Sequence, residues 1–183
     1  MIFHHHKTHT GEIAVAWSAP DPAAIIRLAN GITLGDWDYT PGWPPSKKWA
    51  EKAMIAEHST LEWADLIIVS SARSDVISHI VRHTKGHPRH VVQSQRPDWT
   101  GEERKGPDSI RLYAGKWSPF SLIQMARQRL CAKAMKETRE WVQDLKKALE
   151  ESGDTMMIAL SRSMVPNCEY RGRCTEIRGC GRF

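Results

Sequence analysis

Two short runs, Arg82-His83-Thr84-Lys85 and Ser94-Gln95-Arg96, set cations, hydroxyls and an amide along a helix end and the loop behind it. Guanidinium forks match phosphate oxygens in pairs, and a serine hydroxyl or loop amide completes a cradle. The chemistry of this stretch is anion binding, although a solvated basic loop would carry the same charge. Cys131 lies close to Arg129, but a cysteine nucleophile needs an activating base or a positive field. Side chains two residues apart on a helix point to different faces, so Cys131 is assigned to packing. Cys168-x5-Cys174-x5-Cys180 is wider than the Cys-x2-Cys spacing of zinc ribbons. A disulfide or free thiols are expected there, and no metal site.

Hydrophobic periodicity supplies the elements that must position these groups. Ile13 to Trp17 is apolar and β-compatible, and Pro20-Asp21-Pro22 turns it into a helix carrying Ile25, Ile26 and Leu28. The stretch from Gly35 to Pro45, with Trp37, Tyr39 and Trp43, is a loop by composition, after which Ser46 caps a helix to about Glu57. Leu66-Ile67-Ile68-Val69 predicts a buried strand, Asp75 to His83 a helix, Lys85 to Arg96 a loop, and Ser109 to Tyr113 a strand. Pro97 to Asp108 shows no periodicity. Helices follow over Pro119 to Cys131, Glu137 to Glu151 and about Met156 to Met164.

Composition narrows the class. The chain has 183 residues, 40% of them hydrophobic, which suits one domain, and no apolar run is long enough to cross a bilayer. Met1 to Glu12 is polar and His-rich. His5-x3-His9 followed by Thr10-Gly11-Glu12 resembles the tail of a zinc finger, but no cysteines precede it. Residues 1–12 are read as a flexible leader without a signal peptide, residues 13–183 as the domain, and the protein as cytoplasmic. Lys and Arg outnumber Asp and Glu by 26 to 21, a formal charge of +5, and four arginines crowd the last thirteen residues. This balance fits anionic ligands, from nucleotide phosphates to nucleic acid. No recognised nucleic-acid-binding motif accompanies it, so a basic nucleic-acid-binding module is the rival reading rather than the leading one.

Six segments, in order, resemble the flavin-dependent thymidylate synthases. They are Ala14 to Pro22; Glu57-His58-Ser59-Thr60-Leu61-Glu62-Trp63; Ser78-His79-Ile80-Val81-Arg82-His83-Thr84; Gln93-Ser94-Gln95-Arg96; Leu122-Ile123-Gln124 with Arg129-Leu130-Cys131-Ala132 and Glu137-Thr138-Arg139; and the tail Val165-Pro166-Asn167-Cys168, Gly172-Arg173-Cys174-Thr175-Glu176 and Cys180-Gly181. They resemble most the short, virus-associated branch of that family. The resemblance implies an α+β fold: a central, mostly antiparallel sheet flanked by helices, in a single domain like that of the thymidylate synthase complementing proteins. It also implies a homotetramer whose subunits share active sites.

The resemblance further implies FAD as cofactor, held by His58, Ser59, Arg82, His83, Thr84 and Lys85, with Ser118 and Gln124 beside the isoalloxazine. A pyrimidine nucleoside monophosphate would be bound by His79, Ser94, Gln95, Arg96 and Arg129, with Arg129 facing the pyrimidine carbonyls as the catalytic group. The reaction implied is C5 methylation of dUMP, or of UMP, with NADPH and methylenetetrahydrofolate as co-substrates. Hydroxymethylation of the base is the alternative within the class. Neither a Gly-x-Gly-x-x-Gly loop nor the cysteine tail offers another cofactor site. The sequence departs from the family pattern at Thr84, where an arginine is usual, at Val92 and at Trp63. The stretch between Arg96 and Ser118 is also too short for a phosphate-clamping helix; Arg104, Lys105 and Arg111 are the candidate substitutes.

Overall fold

A computed structural model describes residues 1–9, 11–36, 39–101 and 105–182. Trp37 and Arg104, singled out above, lie outside the described residues. Five strands, β1 (His4–Thr8), β2 (Gly11–Trp17), β3 (Leu66–Arg73), β4 (Arg89–Val92) and β5 (Ile110–Trp117), form one sheet in the order β1-β2-β3-β5-β4. Every pairing is antiparallel. The helices are α1 (Pro22–Ile32), α2 (Lys47–Ala56), α3 (Ser74–Val81), α4 (Pro97–Thr100), α5 (Pro119–Arg129), α6 (Lys136–Glu151), α7 (Thr155–Ser163) and α8 (Asn167–Arg171), with a 3-10 turn at Ser59–Trp63. The expected α+β architecture, a single antiparallel sheet flanked by helices, is what the chain adopts.

Side-chain alternation divides the sheet into two faces. On β3, Leu66, Ile68, Ser70 and Ala72 are buried while the residues between them are not. On β5, Tyr113, Gly115 and Trp117 share the buried side. Helix α6 lays Trp141, Val142, Leu145 and Leu149 at three- and four-residue intervals against that core, and Trp141 Nε1 donates to Ser70 Oγ at 3.2 Å. Caps fix the helix starts: Ser46 Oγ accepts from Trp49 N–H, Ser118 Oγ from Ser121 N–H and Asp154 Oδ1 from Met157 N–H. The opposite face of the sheet stays open at Val91, 72% exposed, and Leu112, 60% exposed.

Several boundaries differ from the periodicity. The His-rich start is not a flexible leader: it is edge strand β1, registered against β2 from His4↔Val15 to Thr8↔Gly11, with His6 Nδ1 2.8 Å from Glu151 Oε2 on α6. Pairing satisfies the outward backbone groups of β2, which hydrophobicity does not register. Strands β3 and β5 run further than their apolar cores because ladder bonds to neighbours continue through Ser70, Ser71 and Lys116. Strand β4 emerges from the loop expected over Lys85 to Arg96, held by β5 alone.

Gly115 is fixed by a close approach. A β-carbon there would lie 2.1 Å from Tyr113 Oη and 2.3 Å from Trp117 Nε1, the two atoms joined by a 2.8 Å hydrogen bond. Gly115→Ala is therefore expected to cost about 1–3 kcal/mol of stability through overpacking, measured by urea unfolding, and to raise solvent quenching of Trp117 fluorescence.

Candidate functional site

Trp117 is the centre of an aromatic and imidazole cluster where the ends of α3, β4, β5 and α5 meet. His83, 5% exposed, stacks on its ring with centroids 5.9 Å apart, and His90 meets it edge-on at 5.0 Å. Burial holds the His83 imidazole down to about 4, aided by the positive charges of Arg129 and Lys85, so it is neutral at neutral pH. Burial also lowers His90. The Tyr113 hydroxyl is kept protonated by burial. It accepts the Trp117 indole N–H at 2.8 Å and shares a 2.9 Å hydrogen bond with His90 Nδ1. Neither His83 Nε2 nor His90 Nε2 makes a well-formed hydrogen bond among the described residues.

Arg129, at the end of α5, donates from Nη2 to the His79 carbonyl at 2.9 Å, and its buried Nε has no partner among the described residues. His79 Nδ1 shares a 3.3 Å hydrogen bond with Thr138 Oγ1. No carboxylate pairs with Arg129, Arg82 or Lys85 among the ion pairs of the described residues. Arg82, Thr84 and Lys85 are exposed around the rim. The result is a half-buried positive corner with a neutral imidazole at its base, a setting that attracts an anion without protonating it.

A second hub joins the 3-10 turn to α5. Glu57, in the left-handed region at φ 49°, accepts from Gln124 Nε2 at 2.9 Å and pairs with Arg127, whose guanidinium lies 3.4 Å over the Tyr170 ring. His58 and Ser59 follow directly and are exposed. Sequence reasoning missed Glu57; its signal was the three-residue spacing of Gln124 and Arg127, which puts both on one face of α5. Because the Arg127–Glu57 pair is largely buried, Glu57→Ala is expected to cost about 3 kcal/mol by stranding the guanidinium. Thermal unfolding of the variant beside Glu57→Gly, which tolerates the positive φ, separates that loss from backbone strain.

The structure brings some predicted residues together and separates others. His79, Arg82, His83, Thr84, Lys85 and Arg129 share the Trp117 corner, and Ser118 begins α5 beside it. There Ser118 Oγ caps the helix and lies 2.9 Å from Ser121 Oγ, which donates to the Gly86 carbonyl at 2.9 Å. Gln124 meets Glu57 next to His58 and Ser59. Ser94, Gln95 and Arg96 lie at the other end of β5, since Gln93 N–H donates to the Leu112 carbonyl. Gln95 Nε2 donates to Ser109 Oγ at 3.1 Å, and Ser94 Oγ accepts from Arg96 N–H at 3.1 Å. Arg111 is here too, hydrogen-bonded to the Gln93 carbonyl. Six residue steps of strand from Arg111 to Trp117 separate the two groups by roughly 20 Å. Cys131, expected to end the α5 helix and to serve packing, lies past the Leu130 C-cap and is partly exposed.

No protein-family model and no curated protein matches the chain. Among solved structures, the UMP/dUMP methylase PolB from Streptomyces cacaoi, bound with 5-Br dUMP, superposes with a TM-score of 0.58 over 84% of this chain and 97% of that chain, at 13% identity. This chain shares that fold. Among the described residues no helix is long and apolar enough to cross a membrane.

Proposed function

We propose that the protein is a flavin-dependent enzyme that methylates C5 of a pyrimidine nucleoside monophosphate, dUMP or UMP, using methylenetetrahydrofolate and NADPH. The observation that carries the reading is the Trp117 corner: an arginine without a carboxylate partner beside a buried, neutral histidine, in a fold shared with a nucleotide methylase. Ordered resemblance of the six sequence segments adds the cofactor and the reaction.

The corner fits FAD in chemical terms. His83 Nε2 and Arg129 Nε are buried polar atoms that call for a partner, and Arg82 and Lys85 supply exposed positive charge for a diphosphate. His58, Ser59, Arg82, His83, Thr84, Lys85, Ser118 and Gln124 are the residues proposed to hold it. When bound, FAD supplies the redox chemistry that a one-carbon transfer ending in a methyl group requires. The protein supplies orientation and charge. Arg129, facing a pyrimidine carbonyl, stabilises negative charge pushed onto the ring, and it does so more strongly in a half-buried setting than in water. His79, Ser94, Gln95 and Arg96 are proposed to bind the nucleotide, the last three through its phosphate.

Ser94 to Arg96 stand too far from Trp117 to serve the same ligand within one chain, and the open sheet face exposes Val91, Ile110 and Leu112 beside the charged Arg89 and Lys116. Both features support a homotetramer in which these residues reach a neighbour's corner. Light scattering of the purified protein measures the assembly. The reaction is tested by incubating the protein with FAD, NADPH, methylenetetrahydrofolate and either dUMP or UMP, then weighing the nucleotide. A methyl increment supports the proposal, a hydroxymethyl increment assigns the alternative product, and unchanged nucleotide contradicts catalysis.

A further inference from the structure

The four cysteines come from separate parts of the fold. Cys131 follows α5, Cys168 lies on α8, and Cys174 and Cys180 belong to the irregular tail. Yet all four line one cavity of about 140 Å³, together with Arg127, Lys133 and Glu176. Each is a free thiol. The tail spacing by itself argues against a metal because it offers three cysteines at wide intervals; the fold supplies the fourth from the end of α5.

We propose that these four thiols bind a zinc ion and that the ion fastens the C-terminal tail to the end of α5. Disulfides would consume the thiols two by two, whereas a zinc ion takes all four as soft ligands. Apolar burial does not account for the tail's position. Residues 172–182 contribute no side chain to the core, and Ile177 is fully exposed. A tail held so weakly nevertheless turns Cys174 and Cys180 back toward Cys131 and Cys168. Charge agrees as well: a zinc tetrathiolate is a dianion, and Lys133 and Arg127 line the same cavity.

Among the described residues no three His, Cys, Asp or Glu groups already stand at chelating distance. Binding therefore draws the tail inward, and metal uptake and tail ordering form one equilibrium. Gly172 and Gly181, at φ +66° and +80°, give the tail its turns. As the ion binds, the thiol protons leave to solvent and four sulfur–zinc bonds replace them.

The test uses the full chain, purified under reducing conditions with zinc and then freed of loosely held metal by gel filtration. Elemental analysis is expected to find zinc equimolar with protein, and cobalt substitution to give the thiolate-to-metal charge-transfer band of a tetrahedral thiolate site. That band separates the cysteines from the His-rich β1 as ligands. Cys131→Ser and Cys174→Ser are each expected to weaken zinc retention at least tenfold. Should either variant fold poorly, the wild-type protein answers alone: a strong chelator should expose the tail to protease and its thiols to Ellman's reagent, and added zinc should reverse both. Metal-free protein with four promptly reactive thiols, a mass showing disulfides, or a Cys131→Ser variant retaining zinc like the wild type would each overturn the proposal.

Discussion

Arg129→Ala is expected to lower nucleotide turnover by about two to three orders of magnitude, equivalent to ~3–4 kcal/mol of lost transition-state stabilisation. The guanidinium stands half-buried, with burial disfavouring its charge and no carboxylate paired to it among the described residues, so its field is available to a ligand. A group acting only as charge develops should reduce kcat and kcat/KM together and leave KM close to wild type. Lysine at this position restores the charge without the planar fork and should recover part of the rate. Steady-state kinetics, with circular dichroism to check the fold, makes the measurement. Unchanged turnover in Arg129→Ala would refute the role given to this residue.

Acidification should destabilise the protein through His83. Its folded-state value of about 4 lies below the ordinary 6.5, so the unfolded chain takes up a proton first as pH falls. The contribution is complete above pH 6.5 and is lost progressively between 6.5 and 4, a difference of about 3 kcal/mol. His90 is shifted the same way by burial and steepens the loss. Urea unfolding at several pH values should show stability falling through this window in the wild type, and a shallower slope in His83→Gln. Equal slopes in the two proteins would mean that His83 is not held neutral by its surroundings.

Much of the fold was legible because burial writes a period into the sequence. Leu66 to Val69 marked β3, the Val76, Ile77, Ile80 and Val81 face marked α3, and Ser46 and Pro119 marked helix starts. What escaped depends on pairing. His4–Thr8 and Arg89–Val92 are short edge strands with polar or mixed sequences, and only the neighbouring backbone makes them strands. The site was legible as a list of residue types but not as a geometry. The family resemblance named His79, His83 and Arg129 together, and the ends of α3 and α5 bring them to one corner. Periodicity gave no sign that β4 would carry Ser94 to Arg96 toward the far end of β5. Glu57 and His90 escaped because their importance lies in long-range contacts, to α5 and to Tyr113. Cys131 was read against its sequence neighbours, while its spatial neighbours are the tail cysteines.

The central claim is that the Trp117 corner holds FAD against a pyrimidine nucleotide. It is tested most directly by recording the visible absorption spectrum of the protein mixed with FAD, before and after adding dUMP, following gel filtration to remove unbound flavin. The account predicts flavin bands that co-elute with the protein, displaced from those of free FAD, and a further change when dUMP binds. Colourless protein after gel filtration, with all of the FAD in the small-molecule fraction whether or not dUMP is present, would contradict it.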